Sequence, residues 1–486
     1  MSKSIRDIIS AIDVVSVVGN PDRVVNSVVL DSRKADGGAL FVAQKGSNVD
    51  GHKFIDQVLQ QGCRAIVCEV MPEFVPEDTC VVCVADTHVS LGHIASCFYD
   101  EPSRSLKLVG VTGTNGKTTI ATLLYRLVRQ MGFKAGLFST VANYIGDERI
   151  ATINTTPDAI TLQSLMRRMV DEGCEYCFME VSSHSVVQHR IEGLVFDGGV
   201  FTNLTHDHLD YHGTFDEYRK AKQLFFDSLS KDAFALTNED DRNGQIMIQN
   251  TRAKRLSYSL RTLADFKGEV IEHGFDGMLM RFDGREAFMQ FVGKFNASNL
   301  MAIYGTAVSL GFVAEEVLVA LSALLPVDGR FEIIRSKDGK IAIVDYAHTP
   351  DALNNVISTI NEIRKENQQL ITVCGCGGNR DKTKRPQMAR EAADGSDIVI
   401  MTSDNPRNEE PLNILADMKA GLKEDEKALV LTIADRREAI QTAVKMAKSG
   451  DIILIAGKGH EDYQEIKGVK HHFDDREEVT KYLTDK

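Results

Sequence analysis

The most informative part of the chain is a glycine-bounded loop at residues 113–119, with the sequence GTNGKTT. It follows a strand-like apolar run at 106–111 and precedes apolar residues at helical spacing. A strand that enters a helix through such a loop directs backbone N–H groups and the positive end of a helix dipole at one point. Lys117 adds a charge for a terminal phosphate, and the hydroxyl of Thr118 can bind Mg²⁺. The sequence therefore predicts a phosphate-binding loop. The loop is shorter than in the usual pattern, because Val111 stands at the position where the first glycine is expected.

Polar side chains follow two further strand-like runs in the same part of the chain. Glu180 lies near the end of the run at 176–181, and a histidine-rich cluster at 206–212 follows the run at 199–202. Because the carboxyl ends of parallel strands form the ligand-binding edge of an open α/β sheet, these groups are expected beside the loop. A carboxylate and one histidine near a phosphate loop favour a hard Mg²⁺ site.

Two patterns suggest zinc instead. The cluster at 206–212 is close to the HxHxDH signature of the metallo-β-lactamase-like hydrolases, but its last histidine, His212, falls one residue late. The CxxC pairs that begin at Cys80 and Cys174 have zinc-ligand spacing, yet they lie in or beside strand-like runs, where residues three apart point to opposite faces. We favour Mg²⁺ and buried cysteines, with solvent-exposed loop histidines as the alternative for the cluster.

A lysine on the apolar side of a helix is the most unusual feature of the central region. The helix is predicted to begin after Thr214, and Lys222 falls in the apolar stripe formed by Tyr218, Phe225 and Leu229. A lysine in such a stripe can extend its ammonium group to water. If it is held inside, desolvation lowers its pKa, and the neutral amine can take up CO₂ as a carbamate, an anionic ligand for a second Mg²⁺.

The C-terminal part alternates strand and helix signals, which predicts a doubly wound domain. The strand signals cover residues 341–345, 370–374, 398–402, 429–433 and 452–456. Four of these strands are followed by polar segments, at 345–348, 375–380, 404–407 and 457–461. The glycine cluster in the second segment has Arg380 where a dinucleotide fingerprint has its third glycine, so no NAD site is expected.

Length and composition set the wider frame. A chain of 486 residues predicts two to four domains, and we divide it at 1–103, 104–329 and 330–486, with 101–104 as a linker. The fold class is α/β, with a smaller N-terminal α/β domain, a central parallel-sheet ATPase domain and a C-terminal Rossmann-like domain. The net charge of −13 argues against a nucleic-acid surface. No apolar run reaches the roughly 18 residues of a membrane span, and the N-terminus does not resemble a signal peptide, so we expect a cytoplasmic protein with free thiols.

Eight ordered motifs, taken together, resemble the Mur ligases. They are GTNGKTT (113–119), NTTP (154–157), EVSSH (180–184), YRKAK (218–222), DYAHTP (345–350), GGNRDKTKRP (377–386), DNPR (404–407) and GKGHEDYQ (457–464). The resemblance implies a three-domain amide ligase of peptidoglycan precursor synthesis, which uses ATP and two Mg²⁺ ions. ATP would phosphorylate the D-glutamate carboxylate of UDP-MurNAc-L-Ala-D-Glu, and an incoming amine would displace phosphate from the acyl phosphate.

The resemblance also assigns residues to roles. The ATP contacts would be Gly113, Thr114, Asn115, Gly116, Lys117, Thr118, Thr119, Asn296, Asn299, Arg330 and Asp345. The catalytic residues would be Lys117, Glu180, His208 and Lys222, and the metal ligands Thr118, Glu180, His208 and the carbamate of Lys222, an N6-carboxylysine. The nucleotide-sugar dipeptide would contact Leu30, Ser32, Ser47, Asn48, Val49, Asn154, Thr155, Thr156, Ser182, Gln188 and Arg190. The incoming amino acid would contact Arg380, Asp404, Asn405, Pro406, Arg407, Gly457 and Glu461.

The DNPR tetrapeptide indicates the amine donor. Family members that add meso-diaminopimelate share it, and Arg407 can form a bidentate pair with the distal carboxylate of that amino acid. L-lysine carries only an ammonium group at the same end, so we predict meso-diaminopimelate as the substrate. We also expect the enzyme to be a monomer. The alternatives are an L-lysine-adding ligase, a folylpolyglutamate-synthase-like ligase, and a P-loop switch protein whose ATP hydrolysis drives a partner.

Overall fold

The computed structural model describes residues 1–46, 49–152, 154–205, 209–427 and 430–484. Three separate α/β units follow one another along the chain, each built around its own sheet, which confirms the predicted fold class. No helix within these described ranges is long and apolar enough to cross a bilayer.

The N-terminal unit contains a five-stranded sheet in the order β2-β7-β6-β5-β4 and a short pair, β1 with β3. Its strands are β1 (Lys3–Ser4), β2 (Val14–Val18), β3 (Val24–Val25), β4 (Ser27–Val29), β5 (Ala39–Val42), β6 (Ala65–Cys68) and β7 (Cys80–Val84). Its helices are α1 (Ile5–Ile9), α2 (Ile55–Gln60) and α3 (Thr87–Phe98), with 3₁₀ turns at Ser32–Lys34 and Gly51–Phe54. Strands β4 to β7 run parallel and β2 is antiparallel to β7. Strands β5, β6 and β7 are buried throughout, as expected for parallel strands covered on both faces.

The segment predicted as a linker, 101–104, largely coincides with a 3₁₀ turn, Pro102–Ser105. Pro102 and Ser103 are buried in this turn, whereas Glu101 and Arg104 are exposed. The hydroxyl of Ser103 accepts a hydrogen bond from the backbone N–H of Val195 at 3.1 Å. The two flanking units are therefore joined by a fixed turn.

The central unit is an eleven-stranded sheet in the order β11-β10-β9-β12-β8-β13-β14-β15-β16-β17-β18. Its strands are β8 (Lys107–Thr112), β9 (Ala135–Phe138), β10 (Asn143–Ile145), β11 (Glu148–Ile150), β12 (Tyr176–Glu180), β13 (Gly198–Phe201), β14 (Phe234–Asn238), β15 (Lys254–Ser259), β16 (Phe266–Gly274), β17 (Gly277–Phe282) and β18 (Arg285–Met289). Its helices are α4 (Lys117–Gln130), α5 (Ala159–Asp171), α6 (Ser183–Val187), α7 (Leu209–His212), α8 (Phe215–Asp227), α9 (Gly244–Met247), α10 (Lys294–Ser309) and α11 (Ala314–Ser322).

Strand β8, which leads into the phosphate-binding loop, lies in the middle of this sheet between β12 and β13, and all three are parallel. Val109 and Val111 pack with residues of α4 and α10 in one buried cluster. Leu108 packs with residues of α5 and α8 in the cluster on the other face. The strand is thus fixed from both sides. Antiparallel strands extend the sheet at both edges, a feature that no sequence pattern predicted.

The C-terminal unit is a six-stranded sheet in the order β19-β20-β24-β21-β22-β23, with a separate β25-β26 hairpin. Its strands are β19 (Glu332–Arg335), β20 (Ile341–Asp345), β21 (Leu370–Cys374), β22 (Ile398–Met401), β23 (Val430–Thr432), β24 (Ile452–Ala456), β25 (Tyr463–Ile466) and β26 (Val469–His472). Its helices are α12 (Pro350–Ile363), α13 (Lys384–Gly395), α14 (Pro411–Lys419), α15 (Glu424–Lys427), α16 (Arg436–Met446) and α17 (Asp475–Thr484). All neighbours are parallel except β19 with β20. The predicted doubly wound architecture is confirmed, because α12 to α14 cover one face and α16 and α17 the other.

Candidate active site

The loop predicted to bind phosphate connects β8 to α4, as expected, and both of its glycines have positive φ angles. A Cβ atom on Gly113 would lie 1.9 Å from the Thr202 hydroxyl, and one on Gly116 would lie 2.6 Å from the Asn299 side-chain oxygen. The close approach of Thr202 and Asn299 therefore requires glycine at both positions. Lys117 donates from Nζ to the carbonyl oxygens of Gly113 (2.9 Å) and Thr114 (2.8 Å), so its ammonium group lies over the loop.

The carboxylate of Glu180 lies next to the start of α4, because β12 and β8 are neighbours in the sheet. Its side chain is buried and accepts hydrogen bonds from the hydroxyl of Thr118 at 3.0 Å and the backbone N–H of Thr140 at 2.7 Å. The Thr140 hydroxyl lies 3.2 Å from the same carboxylate. A buried carboxylate and a hydroxyl are hard oxygen donors, so the pair of Glu180 and Thr118 suits Mg²⁺.

Lys222 is buried in the apolar face of α8, as its spacing predicted, and the alternative in which it extends to water is wrong. Its Nζ donates to the carbonyl oxygen of Gly113 at 2.8 Å and lies 4.8 Å from the ring centre of Tyr218. The Tyr218 hydroxyl is 3.2 Å from the hydroxyl of Thr114. Lys222 therefore lies directly beneath the phosphate-binding loop.

The predicted metal ligand His208 lies outside the described residues, together with His206 and Asp207. The last histidine of that cluster, His212, contacts the hydroxyl of Ser183 at 2.9 Å and lies next to the ring of Tyr218. His212, at the end of α7, therefore lies beside α6 and α8.

Residues predicted to contact the nucleotide surround the loop at different depths. Arg330 donates from Nη2 to the hydroxyl of Thr118 at 3.3 Å, and its guanidinium carbon lies 4.5 Å from the ring centre of Tyr346. Asp345 is buried and accepts a hydrogen bond from the backbone N–H of Phe331 at 2.7 Å. Burial raises the pKa of Asp345 to about 6, although the charge of Arg330 acts against this rise.

Asn296 and Asn299 are both buried in α10. Asn299 faces the loop at Gly116, whereas the Asn296 amide donates to the carbonyl oxygen of Val292 at 2.9 Å. Asn299 in turn donates to the Asn296 side-chain oxygen at 3.4 Å. Asn296 thus lies behind Asn299 as seen from the loop.

A contact between the central and C-terminal units was missed in the sequence. Asp351, in the first turn of α12, accepts a hydrogen bond from the Asn115 side chain at 2.8 Å and one from the Thr205 hydroxyl at 3.3 Å. Burial raises the pKa of the Asp351 carboxyl. The tip of the phosphate-binding loop is therefore bound to the neighbouring unit, which no local sequence pattern reveals.

Four of the residues predicted to contact the dipeptide form one hydrogen-bonded group near Glu180. Arg190 donates to the carbonyl oxygen of Thr156 at 2.7 Å and, from Nε and Nη2, to the Gln188 side-chain oxygen at 3.0 and 2.6 Å. The Thr156 hydroxyl donates to the carbonyl oxygen of Glu180 at 2.8 Å. Thr155 accepts a hydrogen bond from the Thr140 hydroxyl at 3.1 Å. Burial lowers the pKa of Arg190, with partial opposition from Asp158.

The remaining residues of this set are spread over two units. Ser182 is the N-cap of α6 and accepts a hydrogen bond from the backbone N–H of Ser185, while Asn154 is exposed just before α5. Leu30 and Ser32 follow β4 and are partly buried, and Val49 is exposed. Ser47 and Asn48 lie outside the described residues.

The residues predicted to bind the amino acid lie after β21, β22 and β24 of the C-terminal sheet. The side chain of Asn405 donates to Oε2 of Glu461 at 2.8 Å. Arg407 has a left-handed backbone, donates from Nη1 to the carbonyl oxygen of Gly378 at 2.8 Å, and lies 3.4 Å from the Glu465 carboxylate. Arg407 is thus held in place rather than free on a surface turn.

The other members of this set line the same loops. The carboxylate of Asp404 is buried and would lie 2.6 Å from a Cβ atom on Gly457, whose φ angle is +123°. The carbonyl group of Pro406 packs against Gly378 in the same way. Arg380 is exposed at the end of the glycine-rich segment. The structure therefore brings the ends of β21, β22 and β24 together, as the topology of a parallel sheet requires.

A buried ion pair fixes two of these loops, and no sequence pattern indicated it. Arg436 and Asp475 are both fully buried and are joined by two hydrogen bonds of 2.7 Å. The same guanidinium group donates to the carbonyl oxygens of Ser403 at 3.3 Å and Ala456 at 3.0 Å, which immediately precede Asp404 and Gly457. Arg436 thus ties the end of β22 to the end of β24.

Comparison with known protein families finds three matching domain models. They are the Mur ligase family catalytic domain at residues 24–99, the Mur ligase middle domain at 111–307, and the Mur ligase glutamate ligase domain at 329–459. Together they match most of the chain, and each falls on one of the three units.

Among curated proteins, the chain is 57% identical over 473 residues to the UDP-N-acetylmuramoyl-L-alanyl-D-glutamate–2,6-diaminopimelate ligase of Bacteroides fragilis, covering 97% of this chain and 98% of that protein. It is 44% identical to the enzyme of the same name from Geobacillus kaustophilus, with 94% of each chain covered. A solved structure of a ligase of this name superimposes with a TM-score of 0.70 at 33% identity and covers 99% of both chains.

Proposed function

The chain belongs to the Mur ligase family, and from this membership we propose that it joins meso-diaminopimelate to the D-glutamyl carboxylate of UDP-MurNAc-L-Ala-D-Glu in an ATP-dependent reaction. The names of the relatives at 57% identity support this substrate choice. ADP and phosphate would be released, and the product would be a precursor of peptidoglycan. We also propose the domain boundaries 1–103, 104–329 and 330–486, and a monomeric, cytoplasmic enzyme.

One observation carries the proposal: a continuous series of contacts joins the phosphate-binding loop to the loops after β21, β22 and β24, which would bind the amino acid. Thr118 contacts Arg330, whose guanidinium group stacks on Tyr346, and the Tyr346 hydroxyl lies 3.4 Å from Oε1 of Glu461. A ligase needs ATP, a carboxylate and an amine within one site, and this series connects the group that would hold phosphate with the group that would hold the amine. A simple switch ATPase has no need for it.

In the first step, the terminal phosphoryl group of ATP would pass to a carboxylate oxygen of the substrate, giving an acyl phosphate and ADP. Lys117 would move its ammonium group from the carbonyl oxygens of Gly113 and Thr114 to the transferred phosphate and stabilise its charge. In the second step, the amine nitrogen would bond to the acyl carbon, phosphate would leave with the C–O bonding pair, and the amine would lose a proton. The chain's own task is to bring these groups together in a closed site.

Thr118 and Glu180 would hold one Mg²⁺ ion, and His208 with Lys222 a second. The metal would neutralise negative charge that otherwise keeps ATP and the substrate carboxylate apart. Thr140 would orient Glu180 through the backbone N–H bond of 2.7 Å. We propose that Lys222 carries a carbamate, formed when its amine adds to CO₂ and releases a proton. Its position under the loop, with Nζ 2.8 Å from the Gly113 carbonyl oxygen, supports this role.

For the nucleotide sugar and its dipeptide, we propose the predicted set of N-terminal and central residues. The hydrogen-bonded group of Arg190, Gln188 and Thr156 supports a site for the peptide end, since it connects to the backbone of Glu180. Arg190 would pair with a carboxylate of the substrate. Leu30, Ser32 and Val49 would contact the nucleotide at the other end.

The proposed preference for meso-diaminopimelate depends on Arg407. Its guanidinium group is fixed by the carbonyl oxygen of Gly378 and by Glu465, so it is ready to form a bidentate pair with the distal carboxylate. L-lysine would place an ammonium group there instead. Losing the bidentate pair and placing a like charge against the fixed guanidinium group costs on the order of 2–5 kcal/mol, which corresponds to a discrimination of at least about thirtyfold.

An ADP-release assay tests the function. ATP, Mg²⁺ and UDP-MurNAc-L-Ala-D-Glu should give turnover with meso-diaminopimelate and little with L-lysine. Replacing Arg407 with Gln should remove most of this preference, mainly by raising KM for meso-diaminopimelate. Equal rates with both amino acids in the unmodified enzyme would contradict the specificity proposal, and ADP release without either substrate would favour the switch protein.

A second experiment tests the carbamate. The Lys222→Ala variant should lose nearly all activity, and added short carboxylic acids should restore part of it, because they can supply the missing carboxylate. Lys220→Ala is the matched control, since Lys220 lies on the exposed side of the same helix and pairs with Asp216 and Glu217. Full activity of Lys222→Ala would exclude the carbamate.

A further inference from the structure

Lys458 is fully buried in the loop after β24, one of the loops that would bind the amino acid. The sequence motifs assigned no role to this lysine. It follows β24 between two glycines with positive φ angles, Gly457 and Gly459. Its Nζ donates to Oε2 of Glu461 at 3.0 Å, to the side-chain oxygen of Asn405 at 3.3 Å, and to the carbonyl oxygen of Tyr463. These three acceptors match the three donors of an ammonium group.

These contacts determine which way the Asn405 amide points. Its oxygen accepts from both Lys458 and the backbone N–H of Glu465, at 3.3 and 2.9 Å. Its nitrogen is therefore the atom that faces Glu461, to which it donates at 2.8 Å. Lys458 thus acts on Glu461 twice, once directly and once by fixing Asn405.

The same contacts leave the two oxygens of Glu461 in different surroundings. Oε2 receives the bonds from Lys458 and Asn405 on the inner side. Oε1 lies 3.4 Å from the Tyr346 hydroxyl, on the side that leads to Arg330 and the phosphate-binding loop. The carboxylate is thereby held at one oxygen while the other faces the path between the two halves of the site.

We propose that Lys458 is a positioning residue for the amino-acid substrate: its buried ammonium group holds Glu461 and Asn405 in the arrangement that binds the substrate's ammonium group. This inference rests on the proposed function. Lys458 would not touch the substrate or the reacting atoms, so it should affect capture of the amino acid more than the rate of bond formation.

The test is steady-state kinetics of the full-length Lys458→Met variant, which keeps the length of the side chain but removes its charge and donors. KM for meso-diaminopimelate should rise at least tenfold, kcat should change less than threefold, and KM for ATP and for UDP-MurNAc-L-Ala-D-Glu should stay within twofold. Lys470→Met is the matched control. Both lysines lie over the Tyr463 ring, with Nζ 5.4 Å from its centre for Lys458 and 3.9 Å for Lys470, but Lys470 is exposed on β26. It should behave as the unmodified enzyme.

A double-mutant cycle separates positioning from a general loss of structure. If Lys458 acts through Glu461, then Lys458→Met should add less than threefold to KM for the amino acid in a Glu461→Gln background. Independent, multiplicative effects of the two substitutions would overturn the proposal. So would an unchanged KM in folded Lys458→Met.

If Lys458→Met does not fold, Lys458→Gln decides the question, because its shorter, neutral amide is polar enough for the buried position but cannot satisfy the three acceptors that the ammonium group holds. A rise in KM for the amino acid alone supports positioning, and a wild-type KM overturns it. Failure of the proposed function gives a different result, since the unmodified enzyme would then not use meso-diaminopimelate at all.

Discussion

Removing the charge of Asp475 should destabilise the C-terminal unit and weaken amino-acid binding together. In the Asp475→Asn variant, the Arg436 guanidinium group would keep its carbonyl partners at Ser403 and Ala456 but lose its counter-charge. Both partners of the pair are fully buried, so water cannot compensate for the missing carboxylate.

Breaking a buried ion pair by removing one partner costs about 3–5 kcal/mol. Because asparagine keeps one acceptor oxygen, we expect the lower end, about 3 kcal/mol. For a domain of roughly 150–250 residues, each kcal/mol lowers Tm by about 2–4 °C, so the transition of this unit should fall by about 6–12 °C. KM for meso-diaminopimelate should rise as well, because Arg436 fixes the backbone just before Asp404 and Gly457.

Differential scanning calorimetry of the full-length protein measures the first effect, and ADP-release kinetics measure the second. Glu478→Gln is the matched control, since Glu478 joins the same two helices through Arg437, whose side chain is half exposed. An ion pair of that kind contributes about 0–1 kcal/mol, so Tm should fall by no more than about 2–4 °C. Equal losses of Tm in the two variants would refute the argument that burial makes the Arg436–Asp475 pair important.

Three further outcomes follow from contacts around the phosphate-binding loop. Because burial raises the pKa of Asp345 from 3.8 to about 6, ionisation of this carboxyl opposes folding, and the free energy of unfolding should fall by about 3 kcal/mol as pH rises from about 4 to 6. Urea titrations of Asp345→Asn should not show this pH dependence. Gly113→Ala should abolish ATP-dependent turnover, because its Cβ would lie 1.9 Å from the Thr202 hydroxyl, and near-normal turnover would show that the loop can move aside. Thr140→Val should raise the Mg²⁺ concentration for half-maximal activity by about tenfold, since it removes the Thr140 hydroxyl that contacts Glu180 at 3.2 Å and keeps only the backbone N–H bond. An unchanged Mg²⁺ dependence would argue against a role of this hydroxyl in orienting Glu180.

The sequence predicted those features that depend on local periodicity. The burial of Lys222 followed from its spacing with Tyr218 and Phe225, and the N-cap at Thr214 followed from its capping box. The positions of the strand ends followed as well, because polar residues stand directly after short apolar runs. The strand predicted at 398–402 ends one residue earlier, since such boundaries depend on pairing with neighbours.

Contacts between distant segments could not be predicted in this way. Thr140 reaches Glu180 through a backbone N–H group, which is the same in every residue type except proline. Asp351 contacts Asn115 across two units, although 236 positions separate them in the chain. An arginine such as Arg436 is expected to be exposed on the basis of the sequence, but the packing of α16 against α17 buries it. These features depend on tertiary packing, for which single-residue patterns carry no signal.

The contact of Arg330 with both Thr118 and Tyr346 has a thermodynamic consequence. A ligand that draws the Arg330 guanidinium group towards phosphate would also change its contact with Tyr346, which is a hydrogen-bonding partner of Glu461. Occupancy of the nucleotide site and affinity for the amino acid are then linked functions. Linkage is reciprocal, so whatever factor the nucleotide changes in amino-acid affinity, the amino acid must change in nucleotide affinity. A single arginine at the boundary of two units would thus couple the affinities of the two substrates to each other.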